Sequence, residues 1–380
     1  MTHKERVLKA INHEEPDRVP IDLGSTVNSS IVKEAYDELR NYLGMDPTNS
    51  GLINRMMRVV DVDDDVLDYF QTDIRGVFSG VHSSVVHIDE NSYKDEWGIV
   101  RIKHSGTYYF EQSIFPLSGD ISQSDIINNY KWPNPDDSNI VKGLKEQVRK
   151  IRDNFDCAIV LNAPSLFIHK SQDLRGFQDW YLDCGMNVKR IEILFDTILD
   201  INIRILENLL SEVGKEVDIV LVSDDLGTQR GLQVSPDFFR KSIKPRFKKY
   251  FNVIRQFSPD LKILFHSCGS IEPILGDLID IGVDIINPVQ VSAENMGSAY
   301  LKEKYGDHLA FWGAIDTQHV LPNGSPEEVR REVERRIRDL GKGGGYVLGA
   351  VHNIQPGVPP KNIVTMYKHA KMFSKNFYKE

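Results

Sequence analysis

Apolar and polar positions along this chain follow two alternating rhythms. Short apolar runs recur at 158–161, 219–222, 263–265, 284–286, 310–312 and 346–348, the pattern of strands buried on both faces. Between them lie stretches at 141–154, 173–184, 188–211, 236–257, 327–340 and 361–377, whose apolar residues recur at helical spacing. A helix-like segment also follows from Ile271. Nearer the start, 19–23 and 73–78 read as two further strands. Residues 3–12 and 31–43 read as helices, the second closed by Gly44 at its C-cap. Eight strands in a repeating strand–helix order predict a (β/α)8 barrel rather than an open doubly wound sheet.

The texture changes over 82–115. Residues 85–88, 98–102 and 108–110 alternate, with turn residues at Asn91 and at Ser105-Gly106, which predicts an inserted antiparallel meander. Trp97 and Tyr108 in this stretch are able to face a ligand, though packing is the commoner fate of such aromatics. The expected organisation is therefore one α/β unit over 1–380: a (β/α)8 barrel with an N-terminal helical extension and an inserted meander. The acidic run 61–68 reads as a solvated face. No Gly-x-Gly-x-x-Gly follows a strand, and the glycines of 341–345 precede one, so the dinucleotide-binding signature is absent.

Composition narrows the function classes. A net charge of -9 and a pI near 5.7 argue against nucleic acid as the main partner. No apolar run approaches the roughly 20 residues needed to span a bilayer. The polar opening of the chain reads as a helix start and not as a secretory leader. Three cysteines, Cys157, Cys184 and Cys268, cannot make a disulfide framework, so a reducing cytoplasm is the expected compartment.

Chemistry in such a barrel sits on the loops after the strands, and here those positions are rich in Asp, Asn, His and Cys. His266 and Cys268 leave the fifth strand two residues apart and therefore on one side. An imidazole and a thiol so placed make half of a zinc site, and equally suit a buried cysteine beside a hydrogen-bonded histidine. His352, after the eighth strand, is a candidate third ligand that can meet them across a narrow mouth. Cys157 lies at the opposite end of its strand, and Cys184 sits on a helix pattern with Trp180 and Tyr181. Asp224 and Asp225, after the fourth strand, are candidate acid–base or orienting groups, or caps for the next helix. Asn162, Asn287, Gln290 and Asp316 are the polar strand-end side chains available to hold a cofactor.

Four stretches make a resemblance specific: Asp224-Asp225 with Gln229, His266-Ser267-Cys268-Gly269, the segment from Trp312 to Gln318, and His352-Asn353-Ile354-Gln355-Pro356. With the opening segment from Lys4 to Pro20, they make the whole chain resemble the uroporphyrinogen decarboxylase superfamily. That resemblance implies a (β/α)8 fold. It also implies one of two chemistries, metal-free decarboxylation or zinc-dependent methyl transfer linked to corrinoid proteins. Decarboxylases of the family carry arginines near the first strand and an aspartate after the second, in a Phe-Ser-Asp pattern. This chain has Ile21-Asp22-Leu23-Gly24-Ser25 and Phe78-Ser79-Gly80 instead. The methyltransferase branch binds zinc through a His-x-Cys pair and a later Cys, where this chain has His352.

The resemblance thus implies a methylcobamide-dependent methyltransferase with Zn(2+) on His266, Cys268 and His352. Its chemistry would activate a thiol acceptor, or polarise a methyl ether or methylamine-type donor. No Asp-x-His-x-x-Gly cobalamin motif is present, so methylcobalamin is expected on a separate corrinoid protein. A decarboxylase-like lyase acting on another acid, with Asp224 or Asp225 as its acid–base group, is the alternative from a different enzyme class. A metal-free member that binds a small molecule is the third reading.

Overall fold

The computed structural model describes residues 1–48 and 50–379. Seven parallel strands pair, each with its successor in the chain: Ile74–Phe78, Ala158–Asn162, Ile219–Ser223, Lys262–His266, Ile285–Asn287, Ala310–Ile315 and Tyr346–Ala350. Residues 19–23 take the eighth place. Asp22 N–H donates to Leu348 O at 2.9 Å and Leu348 N–H to Pro20 O at 2.9 Å, while Asp73 N–H donates to Ile21 O at 3.0 Å. Pro20 has no N–H to add, so this segment bridges both neighbours without becoming a regular strand. The expected (β/α)8 barrel is the fold.

Two apolar cores follow from the alternation along the strands. Ile74, Ala158, Val160, Ile219, Leu221, Leu264, Ile285, Ala310, Trp312 and Val347 form one buried cluster, the barrel interior. Val7 and Ile11 of the helix His3–Ile11 complete it, so the N-terminal extension plugs the barrel floor. Nine residues are too few for a stable isolated helix. This one is held by a Thr2/Glu5 capping box and by its packing. The second, larger cluster lies between the strands and the outer helices.

Local departures from the expected elements have local causes. Gly176, at φ +77°, breaks the expected 173–184 helix into Ile168–Arg175 and Phe177–Met186. The acidic run opens the helix Asp64–Phe70, which buries Val66, Leu67 and Phe70. The insert is a four-stranded antiparallel sheet of Val86–Asp89, Ser92–Lys94, Val100–Ile102 and Glu111–Ile114. Its last strand starts beyond the expected 108–110, because Phe110 N–H is given to Met56 O of a neighbouring hairpin. Trp97 is buried and Tyr108 exposed. No described helix is long and apolar enough to cross a membrane.

Candidate metal centre

Register places the first imidazole. His266 ends its strand opposite Asn287 of the next one, so the two side chains leave the sheet together. His266 Nδ1 lies 2.5 Å from Asn287 Oδ1, which makes Nδ1 the protonated nitrogen and leaves the Nε2 lone pair uncommitted to the protein backbone. The loop that follows is fixed backbone to backbone. Gly269 (φ +87°) approaches Gly227 so closely that a Cβ would stand 2.5 Å from Gly227 C, and Ser270 N–H donates to Thr228 O at 2.7 Å. Cys268 N–H donates to Asp225 Oδ1 and Gly269 N–H to Gln290 Oε1, each at 2.7 Å. Cys268 Sγ then sits 3.5 Å from His266 Nε2.

His352 reaches the same place from the last strand. Its Nδ1 lies 2.7 Å from Asn353 Oδ1, so its Nε2 is again the nitrogen left for a ligand. One donor atom from each of His266, Cys268 and His352 lies within 4.8 Å of the others. Cys157 and Cys184 stand elsewhere: burial pushes their thiols up to about 11 and about 12. In a tetrahedral site with bonds of about 2.0–2.3 Å, donor atoms stand roughly 3.3–3.8 Å apart. The pair on the fifth strand already meets that spacing. Two imidazoles, each oriented through its far nitrogen, and a thiol are a donor set that suits zinc.

Electrostatics keep these donors uncharged without an ion. Burial lowers the His266 pKa to about 4 against the opposing pull of Asp225, and burial also lowers that of His352. Burial, with Asp225 nearby, raises the Cys268 thiol well above its ordinary value. A bound cation would reverse the last effect and take the sulfur as thiolate.

The remaining expected site residues divide by what they touch. Asp224 is fully buried, and its carboxylate accepts from Phe167 and Ile168 N–H at 2.7 Å and from His169 N–H at 2.9 Å. It therefore caps the helix Ile168–Arg175 rather than facing the mouth. Asp225 points the other way, with Oδ1 3.8 Å from His266 Nε2 and Oδ2 3.3 Å from His169 Nε2. Burial would raise its pKa, but His169 and His266 hold it well below the carboxylate range. The two carboxylates in turn overcome burial and push His169 up to about 10. Asn287 and Gln290 hold His266 and the loop after it. Asp316 accepts from Gln318 and His319 N–H, at 2.7 and 2.8 Å, and so caps a turn. Asn162 donates to Ser25 O at 3.0 Å, and its buried Oδ1 has no partner among the described residues.

Sequence reasoning overlooked Asn28 and His169. Asn28 Nδ2 lies 2.8 Å from His266 Nε2 and 3.4 Å from His352 Nε2. His169 links Asp224 to Asp225. A histidine at the start of the helix after the third strand was the available signal for it.

Comparison with known proteins gives the family and the fold. The uroporphyrinogen decarboxylase (URO-D) family profile matches residues 134–373. A uroporphyrinogen decarboxylase of Alkalilimnicola ehrlichii is 31% identical over 86 residues, 23% of this chain and 22% of that protein. That of Pseudoalteromonas translucida is 33% identical over 78 residues, 20% of this chain and 22% of that protein. The matched stretch thus spans about a fifth of these curated relatives. Among solved structures, a methyltransferase from Methanosarcina mazei superposes with a TM-score of 0.67 at 17% identity, covering 98% of this chain and 99% of that one.

Proposed function

The chain belongs to the uroporphyrinogen decarboxylase family, and from that premise we propose that it is a zinc-dependent methyltransferase of a corrinoid system. The observation that carries this reading is the meeting of His266, Cys268 and His352 at one point of the barrel mouth. Zinc bound there would act as a Lewis acid toward a substrate sulfur, oxygen or nitrogen. The protein's own part is positional. Asn287 and Asn353 fix the two imidazoles, and Asp225 holds the backbone at Cys268. The methyl group passes between a small molecule and methylcobalamin on a separate corrinoid protein, in a cytoplasmic setting that leaves cysteines reduced. Asp225 with His169 is the pair placed to hold or move a proton beside the ligands.

The curated relatives, both uroporphyrinogen decarboxylases, favour a carboxy-lyase instead, with Asp225 as its acid–base group. One observation weighs against it. The decarboxylase pattern puts an aspartate where this chain has Gly80, and a Cβ built there would stand 2.0 Å from Asn139 O. No carboxylate fits at that position.

Metal analysis of the purified protein tests the reading directly, followed by assay with methylcobalamin and thiols, or with cob(I)alamin and methyl ethers or methylamines. About one zinc per chain and corrinoid-dependent methyl transfer are expected. A metal-free protein that releases carbon dioxide from a carboxylic acid would overturn the proposal.

A further inference from the structure

Asn28 projects from a braced loop into the gap between the imidazoles. Gly24 N–H donates to Ser29 O at 3.1 Å, Thr26 N–H to Ser29 Oγ at 3.1 Å, and Ser29 N–H returns to Thr26 Oγ1 at 2.9 Å. Ser25 N–H is held by Asp22 Oδ1 at 3.1 Å and Ser30 Oγ by Val60 O at 2.9 Å. The same loop is joined to the loop of His352: Ile354 N–H donates to Ser30 O and Val32 N–H to Ile354 O, each at 2.9 Å. Asn28 and His352 therefore share one unit of backbone, whereas His266 and Cys268 share another.

Both imidazoles offer only the Nε2 lone pair toward Asn28, since each Nδ1 is spent on an asparagine oxygen. The Asn28 amide lies within hydrogen-bond reach of both lone pairs at once. An ion that uses those lone pairs must take both from this amide, and the one on His266 also from the Cys268 thiol 3.5 Å away. Asn28 Oδ1 has no protein partner among the described residues, so the side chain loses nothing else when it turns away.

We propose that Asn28 is a wedge in the metal site: it holds the two imidazoles in the metal-free protein and competes with the incoming ion. This rests on the zinc reading above. Removing the wedge removes a competitor. Two modest hydrogen bonds, one of them long, correspond to a factor on the order of ten in affinity.

The test compares wild type, Asn28→Ala, Asn28→Ser and Asn28→Asp by chelator competition for Zn(2+) alone, with thermal melts to confirm folding. Asn28→Ala is expected to bind zinc about tenfold more tightly than wild type. Asn28→Ser, too short to reach both rings, should shift the same way and serves if the alanine variant does not fold. Asn28→Asp should also tighten binding, because it sets a carboxylate beside the ion. In the metal-free proteins, the ring-nitrogen NMR signals of His266 and His352 should move in Asn28→Ala. Unchanged or weaker zinc affinity in folded Asn28→Ala and Asn28→Ser overturns the wedge, as do unmoved ring signals. A wild type that takes up no zinc overturns the methyltransferase reading instead, while the ring signals still decide the contact.

Discussion

The two ends of the barrel handle buried charge in opposite ways. At the floor, Asp73 is fully buried and all its acceptor capacity is used. It takes His3 Nδ1 and Arg6 Nη1 at 2.7 Å, Arg18 at 2.7 and 2.9 Å, and Ile21 N–H at 2.8 Å. Arg6 turns its other arm to Asp17, at 2.6 and 2.9 Å. The network ties the plugging helix, the closing segment and the second strand together. At the mouth, two imidazoles and a thiol are brought together, and the imidazole lone pairs meet the neutral Asn28 amide and, at His266, the Cys268 thiol. The floor is satisfied and the mouth is poised, which is the division a barrel of this class leads one to expect. Perturbing the floor should therefore cost stability, and perturbing the mouth should change ligand binding.

The largest effect is expected at the floor. Asp73→Ala leaves Arg6 and Arg18 buried with no carboxylate between them, and breaking a buried pair from one side costs about 3–5 kcal/mol. Urea unfolding should show that loss, while zinc affinity per folded chain stays within a few-fold of wild type. A loss under about 1 kcal/mol would mean the two ends do not differ as described.

Cys268→Ser reverses the pattern. Second-layer losses in metal sites cost about 10–100-fold in affinity, and a lost ligand should cost more, beyond about 100-fold. The unfolding midpoint of the metal-free protein should barely move, because Cys268 is half-buried and its backbone N–H still bonds Asp225. If the serine variant unfolds and the wild type carries no metal, Cys268 is an ordinary packed thiol.

Asp225→Asn should have a smaller effect than either, with zinc affinity reduced about 10–100-fold. The amide can keep the bond to Cys268 N–H but loses the negative charge facing His266 and His169. Equal affinities by chelator competition would reduce Asp225 to a backbone brace like its neighbour.

That neighbour shows how far the sequence could be read. The barrel was legible because strands covered on both faces are nearly all apolar and the helices between them are amphipathic. His266, Cys268 and His352 were legible because strand ends converge at one mouth. The dipeptide Asp224-Asp225 was legible as a place but not as a division of labour. Adjacent residues point opposite ways, and which one faces the ligands depends on how the strand exits. Asn287 stood among the expected cofactor-holding groups, yet its role came from register, since it lies opposite His266. Asn28 was the hardest to see. In Gly24-Ser25-Thr26-Val27-Asn28-Ser29-Ser30 it reads as one more turn residue, and only closure of the barrel brings it to the imidazoles. The closing segment was legible as a strand, although Pro20 reduces it to bridges.

The smallest effect is a pH dependence that belongs to the floor. Burial alone would raise the Asp73 pKa, but His3, Arg18 and Arg6 together hold it below its ordinary value. Its folded pKa thus lies below the unfolded value of about 3.9. The stability it adds is fully present above about pH 4 and is lost as pH falls through the folded value. One carboxylate limits this contribution to a slope of about 1.4 kcal/mol per pH unit. Between pH 7 and pH 5 the Asp73 carboxylate itself should therefore add no pH dependence to unfolding. Below pH 4 the wild type should lose stability with acid more steeply than Asp73→Asn, which has nothing to protonate there. Urea unfolding at stepped pH measures the difference directly. Parallel slopes for the two proteins below pH 4 would mean that Asp73 is not the charged anchor of the floor. The contrast between a satisfied end and a poised one would then rest on the mouth alone.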